Sequence, residues 1–265
     1  MVEAVERADD PRIDEYRHVG NHEWLRSRGL FVAEGRLVVR RLLVSPRFPV
    51  RSILLTPAAL HSFGDGFGGD APVYVAPQDV LNGVTGFNFH RGCVALASRP
   101  DSAAIDFSSD LPGTRLLLAL EGVGNPDNVG GLFRVAAAFG AAGVILDAAS
   151  ADPLYRKAVR TSMGAVFSVP FAMSDMWPET LRTFGERGFA VAALTPALSA
   201  QPIWEAALDG RPVVVLVGAE GPGLSDASLR AADMRVRIPI EPAVDSLNVV
   251  VAAGIALSYL TAMDR

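Results

Sequence analysis

The first residues that could do chemistry follow an apolar run over 115–121, which predicts a strand. The segment over 121–134 then joins a glycine-rich turn to a predicted helix and offers the side chains of Asn128 and Arg134. A strand, a glycine-rich turn and a helix are the setting of a dinucleotide-binding site, but Asp127 stands where that fingerprint needs its third glycine. A nicotinamide enzyme is therefore disfavoured. Asn128 is placed to cap the helix, and Arg134 is equally compatible with a surface arginine whose stem lies along apolar neighbours.

Two further segments place polar groups after predicted strands. The run Val217–Leu224 holds three glycines and a proline, which let the backbone approach a ligand closely, and it presents Glu220 at the carboxyl edge of the sheet. The run Ile238–Asn248 ends in Ser246 and Asn248, which are also natural capping residues for the small-residue helix that follows. That helix is suited to close packing against another helix. The glycine-rich run has more special residues than a plain strand-to-helix connection needs, which indicates a binding loop.

The elements that must position these groups alternate between strand and helix. Several predicted strands are continuous apolar runs, which is typical of strands buried on both faces of a parallel sheet. The strands predicted in the second half cover residues 115–121, 143–147, 165–169, 189–194, 213–218 and 234–238. In an α/β sheet of this kind ligands bind beyond the carboxyl ends of the strands, where the three segments fall.

The first hundred residues predict a separate block of mixed helix and strand. The predicted elements are a helix over 13–28, a strand over 30–33, a helix over 35–44, a strand over 50–55, a glycine-rich loop over 62–69, a strand over 73–75, a helix from Pro77 and a strand over 92–97. Residues 99–113 are polar and rich in Pro, Ser and Asp, which indicates a linker. We therefore predict a small α/β domain over 1–100 and a parallel-sheet domain over 111–265.

Composition argues against several classes of protein. The net charge of −5 argues against a generally basic surface for nucleic acid, although a local patch remains compatible with it. Cys93 is the only cysteine and the four histidines show no ligand spacing, so we predict no disulfide and no metal site. Residues 1–12 are charged, and the longest apolar segment, over 247–257, is far short of the roughly 18 residues that suggest a membrane span. We predict a cytoplasmic protein without membrane contact.

Taken together, the three segments resemble the motifs of the SpoU–TrmH family of RNA ribose 2′-O-methyltransferases over residues 115–263. The residues that carry the resemblance are Asn128, Gly130 and Arg134 in the first motif, Gly218, Glu220, Gly221 and Gly223 in the second, and Ser246, Leu247 and Asn248 in the third. The stretch over 160–165 is also similar to the R-x-S-x-G-A segment usual between the first two motifs.

This resemblance implies a fold, a cofactor and an assembly. The family fold is an α/β sheet whose C-terminal segment threads a loop as a trefoil knot, and the family works as a homodimer with the active site at the interface. The methyl donor S-adenosylmethionine (SAM) is then expected in the knot, at Thr195, Gly218, Glu220, Gly221, Ile238 and Leu247. The residues expected to act on the target ribose are Asn128, Arg134, Glu220, Ser246 and Asn248.

The N-terminal domain is similar to the ribosomal-protein-like modules that bind substrate in rRNA-directed members of the family. The similarity lies in residues 31–35 with the helix after them, and in residues 90–92 before a strand. We predict RNA contacts by Arg36, Arg40 and Arg41 on that helix, within a domain that is only weakly basic.

Several functions stay open at this point. The leading hypothesis is ribose 2′-O-methylation of a structured RNA, and the additional N-terminal domain favours rRNA over tRNA. The same fold acting on tRNA is the next hypothesis. A catalytically silent RNA-binding factor is a third, against which the intact motif residues speak. A nicotinamide oxidoreductase comes last.

Overall fold

The computed structural model describes residues 2–64, 70–100, 113–208 and 210–263. Its helices are α1 (His22–Ser27), α2 (Arg36–Leu43), α3 (Pro57–Phe63), α4 (Gln78–Thr85), α5 (Pro126–Ala138), α6 (Arg156–Thr161), α7 (Glu179–Glu186), α8 (Asp226–Ala231) and α9 (Val249–Met263). Its strands are β1 (Val2–Ala4), β2 (Leu30–Glu34), β3 (Val50–Leu55), β4 (Val73–Val75), β5 (Cys93–Ser98), β6 (Leu116–Glu121), β7 (Gly143–Asp147), β8 (Phe171–Ser174), β9 (Ala190–Leu194), β10 (Gln201–Pro202), β11 (Val213–Gly218) and β12 (Met234–Arg237). Short 3-10 helices cover Pro11–His18, Ala165–Phe167 and Ile203–Glu205.

The described residues divide into two compact units. The first contains those of Met1–Ser102 together with Pro153–Ser168, and the second contains those of Ala103–Asp152 and Val169–Arg265. The division that we predicted, at 1–100 and 111–265, places Pro153–Ser168 in the other domain. Residues 101–112 of the predicted linker lie outside the described residues.

Aromatic packing accounts for the grouping of Pro153–Ser168 with the first unit. The ring of Phe167 lies 5.7 Å from that of Phe31 and 5.5 Å from that of Phe48, and all three side chains are buried. Aromatic side chains bury large apolar areas, so this contact stabilises the segment where it lies. Such a contact between distant parts of the sequence leaves no local pattern from which it could be predicted.

The first unit is built on a mixed sheet with the strand order β1-β4-β3-β5-β2. The pairs β1–β4 and β3–β4 are parallel, whereas β3–β5 and β2–β5 are antiparallel. A core that includes Ile13, Tyr16, Leu54, Leu81 and Leu96 packs against this sheet. The mixed α/β character predicted for this part of the chain is confirmed.

The second unit contains a sheet with the order β10-β12-β9-β11-β6-β7-β8, and its neighbouring strands are all parallel in the described part of the chain. The central strands β6 and β11 are buried at every position except their last residue, as strands covered on both faces must be. A core around Leu117, Leu181, Val191 and Leu216 fills the space between this sheet and its helices. The predicted parallel-sheet α/β fold is therefore confirmed.

One predicted strand is wrong. Residues 165–169 were expected to be extended because they are apolar, but Ala165–Phe167 forms a 3-10 helix and the strand nearest in sequence is β8. The backbone turns just before it, at Met163 and Gly164, whose φ angles are 54° and 85°. Such left-handed conformations interrupt a strand, and the apolar side chains are instead buried within the first unit.

The predicted helix over 13–28 is also divided. Its first part forms the 3-10 helix Pro11–His18, and α1 begins only after Asn21, whose side chain accepts a hydrogen bond from the backbone N–H of Trp24. Asn21 is thus an N-cap, and a cap marks the start of a new helix. The predicted loop over 62–69 begins later than expected, because α3 continues to Phe63, and its residues 65–69 lie outside the described residues.

Candidate active site

A cavity of about 370 Å³ lies in the second unit, at the carboxyl ends of three neighbouring strands. Its walls come from Leu194–Pro196 after β9, from the loop Val217–Leu224 after β11, and from Ile238 and Ile240 after β12. The segment before α9 and the first turn of that helix complete the wall. Its size and its mixture of apolar side chains with a few polar groups are those of a small-molecule site.

The loop after β11 folds back on its own strand, and Gly218 makes this possible. A Cβ atom at Gly218 would lie 2.5 Å from the carbonyl carbon of Gly223 and 2.6 Å from the backbone nitrogen of Leu224. The turn is closed by the N–H of Gly223, which donates to the carbonyl of Ala219 at 3.0 Å. Gly221 and Gly223 have φ angles of 91° and 71°, which favour glycine. The backbone of this loop can therefore face a ligand directly.

Three polar side chains meet beside the cavity. The amide nitrogen of Asn248 donates to Oδ1 of Asn128 at 3.2 Å and to Oε1 of Glu220 at 2.9 Å. Its amide oxygen accepts from the backbone N–H of Val250 at 2.9 Å and so caps α9. Asn128 is buried, whereas Glu220 is exposed. One side chain thus connects all three predicted motifs.

The structure brings most of the predicted site residues to this cavity. Those that line it are Thr195, Gly218, Glu220, Gly221, Ile238, Ser246, Leu247 and Asn248. Asn128 reaches the group through its hydrogen bond to Asn248. Arg134 neither lines the cavity nor joins the hydrogen bonds of Asn248.

Comparison with known proteins agrees with this geometry. The model of the SpoU rRNA Methylase family matches residues 115–258. The chain belongs to this family. It is 40% identical over 262 residues to a protein of Mycobacterium tuberculosis named as an uncharacterized tRNA/rRNA methyltransferase, with 96% of this chain and 90% of that protein covered.

Solved structures of similar fold cover nearly the whole of this SpoU-family chain. The AdoMet-bound rRNA methyltransferase from Sinorhizobium meliloti superposes with a TM-score of 0.82 at 26% identity, over 99% of this chain and 98% of that one. A structure described as an RNA 2′-O ribose methyltransferase superposes with a TM-score of 0.79 at 27% identity, over 99% of each chain. The likeness therefore extends through both units.

The lining of the cavity in this SpoU methylase suits SAM. Apolar side chains such as Ile238, Ile240 and Leu247 offer a surface for the adenine ring, and the loop around Gly218 offers backbone groups. Among the described residues that line it, Glu220 is the only charged one, and its charge is negative. A negative group favours the positively charged sulfonium and amino groups of SAM and disfavours the pyrophosphate of a dinucleotide. The cavity thus adds a second argument against a nicotinamide enzyme.

The position of Arg134 differs from that of the other predicted catalytic residues. It is exposed on α5, six positions after the buried Asn128. Six residues of an α-helix correspond to about 600°, so the two side chains point in directions about 120° apart. The same spacing that places both residues in one sequence motif therefore keeps their side chains on different faces of the helix.

The capping role expected of Asn128 belongs to another residue. Asn125 is the N-cap of α5, and its side chain accepts from the N–H of Asp127 at 2.9 Å. Pro126 occupies the first helical position, where its missing N–H costs nothing and its fixed φ fits the helix. Asn128 lies within the helix, and its side-chain oxygen Oδ1 accepts a hydrogen bond from the side-chain amide of Asn248.

The sequence did not predict the role of Glu121, which binds the segment directly after the loop Val217–Leu224. The carboxylate of Glu121, at the end of β6, accepts from the N–H of Ser225 at 3.1 Å, from its hydroxyl at 2.6 Å and from the hydroxyl of Ser228 at 2.9 Å. Ser228 is fully buried and also accepts from Nε1 of Trp177 at 2.9 Å. The only signal in the sequence was an acidic residue at a strand end, which is too common to be informative.

A second strand-end acid orders the turn before α5. Oδ1 of Asp147 accepts from the N–H of Gly122 at 2.9 Å and from the hydroxyl of Ser150 at 2.7 Å. The hydroxyl oxygen of Ser150 in turn accepts from the N–H of Val123 at 3.1 Å. Asp147 therefore fixes the backbone that leads into Asn125 and Asn128.

The predicted RNA-binding arginines lie together on the exposed side of α2 in the first unit. Arg41 donates to the carbonyl of Met163 at 2.8 Å, and Arg40 donates to the carbonyl of Ser62 and lies over the ring of Phe63. Arg36 is also exposed. The buried residues Val38, Val39 and Leu42 hold the opposite side of the helix to the core, and this amphipathic pattern orients the arginines outward.

Two kinds of feature are absent from the described residues, a metal site and a membrane-spanning helix. No three His, Cys, Asp or Glu side chains come together as a possible metal site in the described part of the chain. Within that same part, no helix combines the length and the apolar character that crossing a membrane requires.

Proposed function

We propose that this SpoU-family RNA methyltransferase transfers the methyl group of SAM to a ribose 2′-hydroxyl of a structured RNA in the cytoplasm, and that this RNA is ribosomal. The observation that carries the proposal is the junction of Asn128, Glu220 and Asn248 beside a cavity that, among the described residues, has one charged lining residue, which is acidic. Support for ribose and for rRNA comes from the two similar structures described above, since each is matched over both units.

The residues of the chain would mainly align the two reactants. SAM supplies an activated methyl group on a sulfonium, so that the carbon–sulfur bond breaks as the carbon–oxygen bond to the ribose forms. The loop around Gly218 would hold the donor, and Ser246 and Asn248, which line the same cavity, would face the 2′-hydroxyl. Fixed orientation of two reactants is itself a large source of rate enhancement.

Arg134 is the residue for which we propose contact with the target nucleotide. Its guanidinium offers hydrogen-bond donors and no acceptor, and it is therefore a poor base. Its planar fork is suited to a phosphate. We propose that it holds the phosphate beside the target ribose and polarises the hydroxyl, while the released proton passes to another acceptor.

In a homodimer, Arg134 of one chain would complete the cavity of the other chain. In one chain this side chain lies outside the cavity, which supports a site that takes Arg134 from a second copy. On α9, Val251 and Ile255 are 50% and 41% exposed, and their spacing of four residues places them on one face. An exposed apolar face of this kind is suited to a protein interface, and we propose that it is covered by the second copy. The trefoil knot stays an expectation from the family resemblance.

The test is methyl transfer from radiolabelled SAM to purified rRNA and, separately, to tRNA, followed by nuclease digestion and identification of the labelled nucleoside. We expect a 2′-O-methyl nucleoside from rRNA. Label on a base would overturn the ribose assignment, and label in tRNA alone would overturn the ribosomal one. SAM binding without transfer to either RNA, isolated or in a ribosomal particle, would favour a silent RNA-binding factor.

Arg134→Ala is the accompanying variant. We expect it to lower the transfer rate by about 100-fold, the order of loss for one donor that acts on the transition state, and to leave SAM affinity within about two-fold. Arg182→Ala is the matched control, because Arg182 is an exposed arginine of the same unit that pairs only with the exposed Glu179 among the described residues. Equal rates for the Arg134 variant and the wild type would refute the assignment.

A further inference from the structure

A buried carboxylate of the first unit lies among guanidinium groups. Glu34 ends β2, and its side chain is only 3% exposed. Arg156 donates to its Oε2 from Nε at 2.8 Å and from Nη2 at 2.7 Å. Nη1 of Arg160 and Nε of Arg91 lie 3.6 Å and 3.8 Å from Oε1. One negative charge thus faces three positive ones, and the cluster keeps an excess of positive charge.

A cavity of about 150 Å³ within the same unit is lined by part of this cluster. Its polar lining consists of His22, Tyr155, Arg156, Lys157 and Arg160. Its remaining lining consists of Val19, Gly20, Leu25, Phe31, Val32 and Leu154. None of these described residues carries a carboxylate. A cavity of this volume has room for a phosphate group.

Two cationic side chains of this cavity, Arg156 and Lys157, differ in how firmly they are held. Arg156 is held between the carboxylate of Glu34 and the ring of Phe87, whose centroid lies 4.5 Å from the guanidinium carbon. A side chain that is already ordered loses little further entropy when it binds a ligand. Lys157 is exposed and takes no part in the ion pairs of the cluster among the described residues. It is also the only lysine of the chain.

We propose that this cavity binds one phosphodiester group of the RNA substrate, with Lys157 and Arg160 as its direct partners and with Arg156 as a fixed cation beside them. The ammonium of lysine is a compact point charge that suits a phosphate oxygen. The proposal rests on the function proposed above, because RNA is its source of phosphate. It adds a second contact region to the α2 arginines, two of which already donate to backbone carbonyls.

Acylation of the amines provides the first test, since Lys157 is the one side-chain amine in the chain. The full-length protein is treated briefly with the N-hydroxysuccinimide ester of acetic acid, with and without purified rRNA, and modification is measured by mass spectrometry. We expect rRNA to slow the acylation of Lys157 about 10-fold and to leave the N-terminal amine, which serves as the internal control, unaffected. Protection by millimolar inorganic phosphate with none by rRNA would assign the site to a free phosphate and overturn the proposal.

Substitution of Lys157 provides the second test. Lys157→Gln should raise the Kd for rRNA about five-fold near physiological salt and reduce the slope of log Kd against log salt by about one, as expected when a single phosphate contact is lost. Lys157→Arg keeps the charge and should stay within two-fold of wild type. Arg51→Gln removes one exposed charge of the same unit outside the cavity and should change neither quantity. An equal effect of the Arg51 and Lys157 variants would show only general electrostatics and would overturn the proposal.

The two proposals fail in distinguishable ways. SAM titration and methyl transfer are measured on the same preparations. Transfer to RNA without protection of Lys157 would remove the phosphate site and leave the enzyme. Protection of Lys157 by RNA without any methyl transfer would support the phosphate site and remove the catalytic function.

Discussion

At the scale of single residues, Asn248 determines how the three motif segments meet. Its amide nitrogen donates hydrogen bonds to Asn128 and Glu220, and its amide oxygen accepts one from the backbone at the start of α9. The capping function and the site function that the sequence left as alternatives for Asn248 are therefore both present, on different atoms of one side chain. Ser246, for which the same two alternatives stood, lines the cavity.

Gly218 offers a sharp test at this scale. Gly218→Ala places a methyl group against backbone atoms of Gly223 and Leu224, which must shift. We expect a loss of about 1–3 kcal/mol in the free energy of unfolding, as for other overpacked sites, and a SAM affinity at least about 10-fold weaker. Urea denaturation and isothermal titration calorimetry measure the two quantities.

Gly185→Ala is the matched control for that substitution. Gly185 lies in α7 of the same unit, and a Cβ atom there would meet nothing within 4 Å. Alanine in a helix should raise the free energy of unfolding by roughly 0.5–1 kcal/mol and leave SAM binding unchanged. If both alanine variants bind SAM like the wild type, the loop after β11 is not the cofactor-binding element.

At the scale of elements, β6 and α8 are joined behind the binding loop. Glu121 receives three hydrogen bonds from the first turn of α8 and its cap, and the same turn anchors Trp177. The loop Val217–Leu224 runs between β11, which neighbours β6, and this turn. Glu121 does not line the cavity and acts as a positioning residue.

Glu121→Gln tests this arrangement. An NH₂ group would replace one of the two carboxylate oxygens that accept these three hydrogen bonds, so that in either orientation of the amide at least one donor of Ser225 or Ser228 loses its acceptor. We expect a loss of about 1–3 kcal/mol in the free energy of unfolding and a measurably higher Kd for SAM. Glu179→Gln is the control, because Glu179 is exposed on α7 and its one ion pair among the described residues is with Arg182. Unchanged SAM affinity in the Glu121 variant would show that the loop is held by other contacts.

The helices α5 and α9 approach each other closely because of a second glycine. A Cβ atom at Gly131 would lie 2.8 Å from Cγ2 of Val250. The small residues of α9 had indicated packing against another helix, and a Cβ atom at Gly254 of α9 would lie 3.8 Å from Cγ1 of Val135 on α5. The close approach brings Asn128 on α5 within reach of Asn248 at the start of α9.

At the scale of the whole molecule, the proposed homodimer predicts complementation between two inactive variants. Arg134→Ala lacks the phosphate contact, and Asn248→Ala lacks the junction at the cavity. In a two-fold dimer whose sites take Arg134 from the partner, a refolded equimolar mixture should regain about one quarter of wild-type activity, because half of the dimers are mixed and each holds one intact site.

The controls follow from the same geometry. Each variant alone should keep no more than about 1% of wild-type activity. Ile255→Asp, placed on the exposed face of α9, should shift the protein toward monomer in analytical ultracentrifugation. A mixture as inactive as its components would show that Arg134 serves the cavity of its own chain. A dimer unaffected by Ile255→Asp would place the interface elsewhere.

The sequence by itself determined the fold class and most of the candidate site, because both depend on local patterns. Continuous apolar runs predicted the parallel sheet, and Gly218, Glu220 and Asn248 attracted attention because they follow strands or precede a helix. Their roles, and the inclusion of Thr195 and Ile238, came from the resemblance to the SpoU–TrmH family. Such residues can be recognised from the sequence alone, because the carboxyl ends of parallel strands meet at one edge of the sheet.

The tertiary structure decided what depends on contacts between distant residues. The burial of Phe167 against Phe31 assigns Pro153–Ser168 to the first unit and makes an expected strand a 3-10 helix. The support of the loop by Glu121 and the pairing of Glu34 with Arg156 join residues separated by about a hundred positions. Polar residues at these positions are common on any surface, and only the burial of their partners distinguishes them.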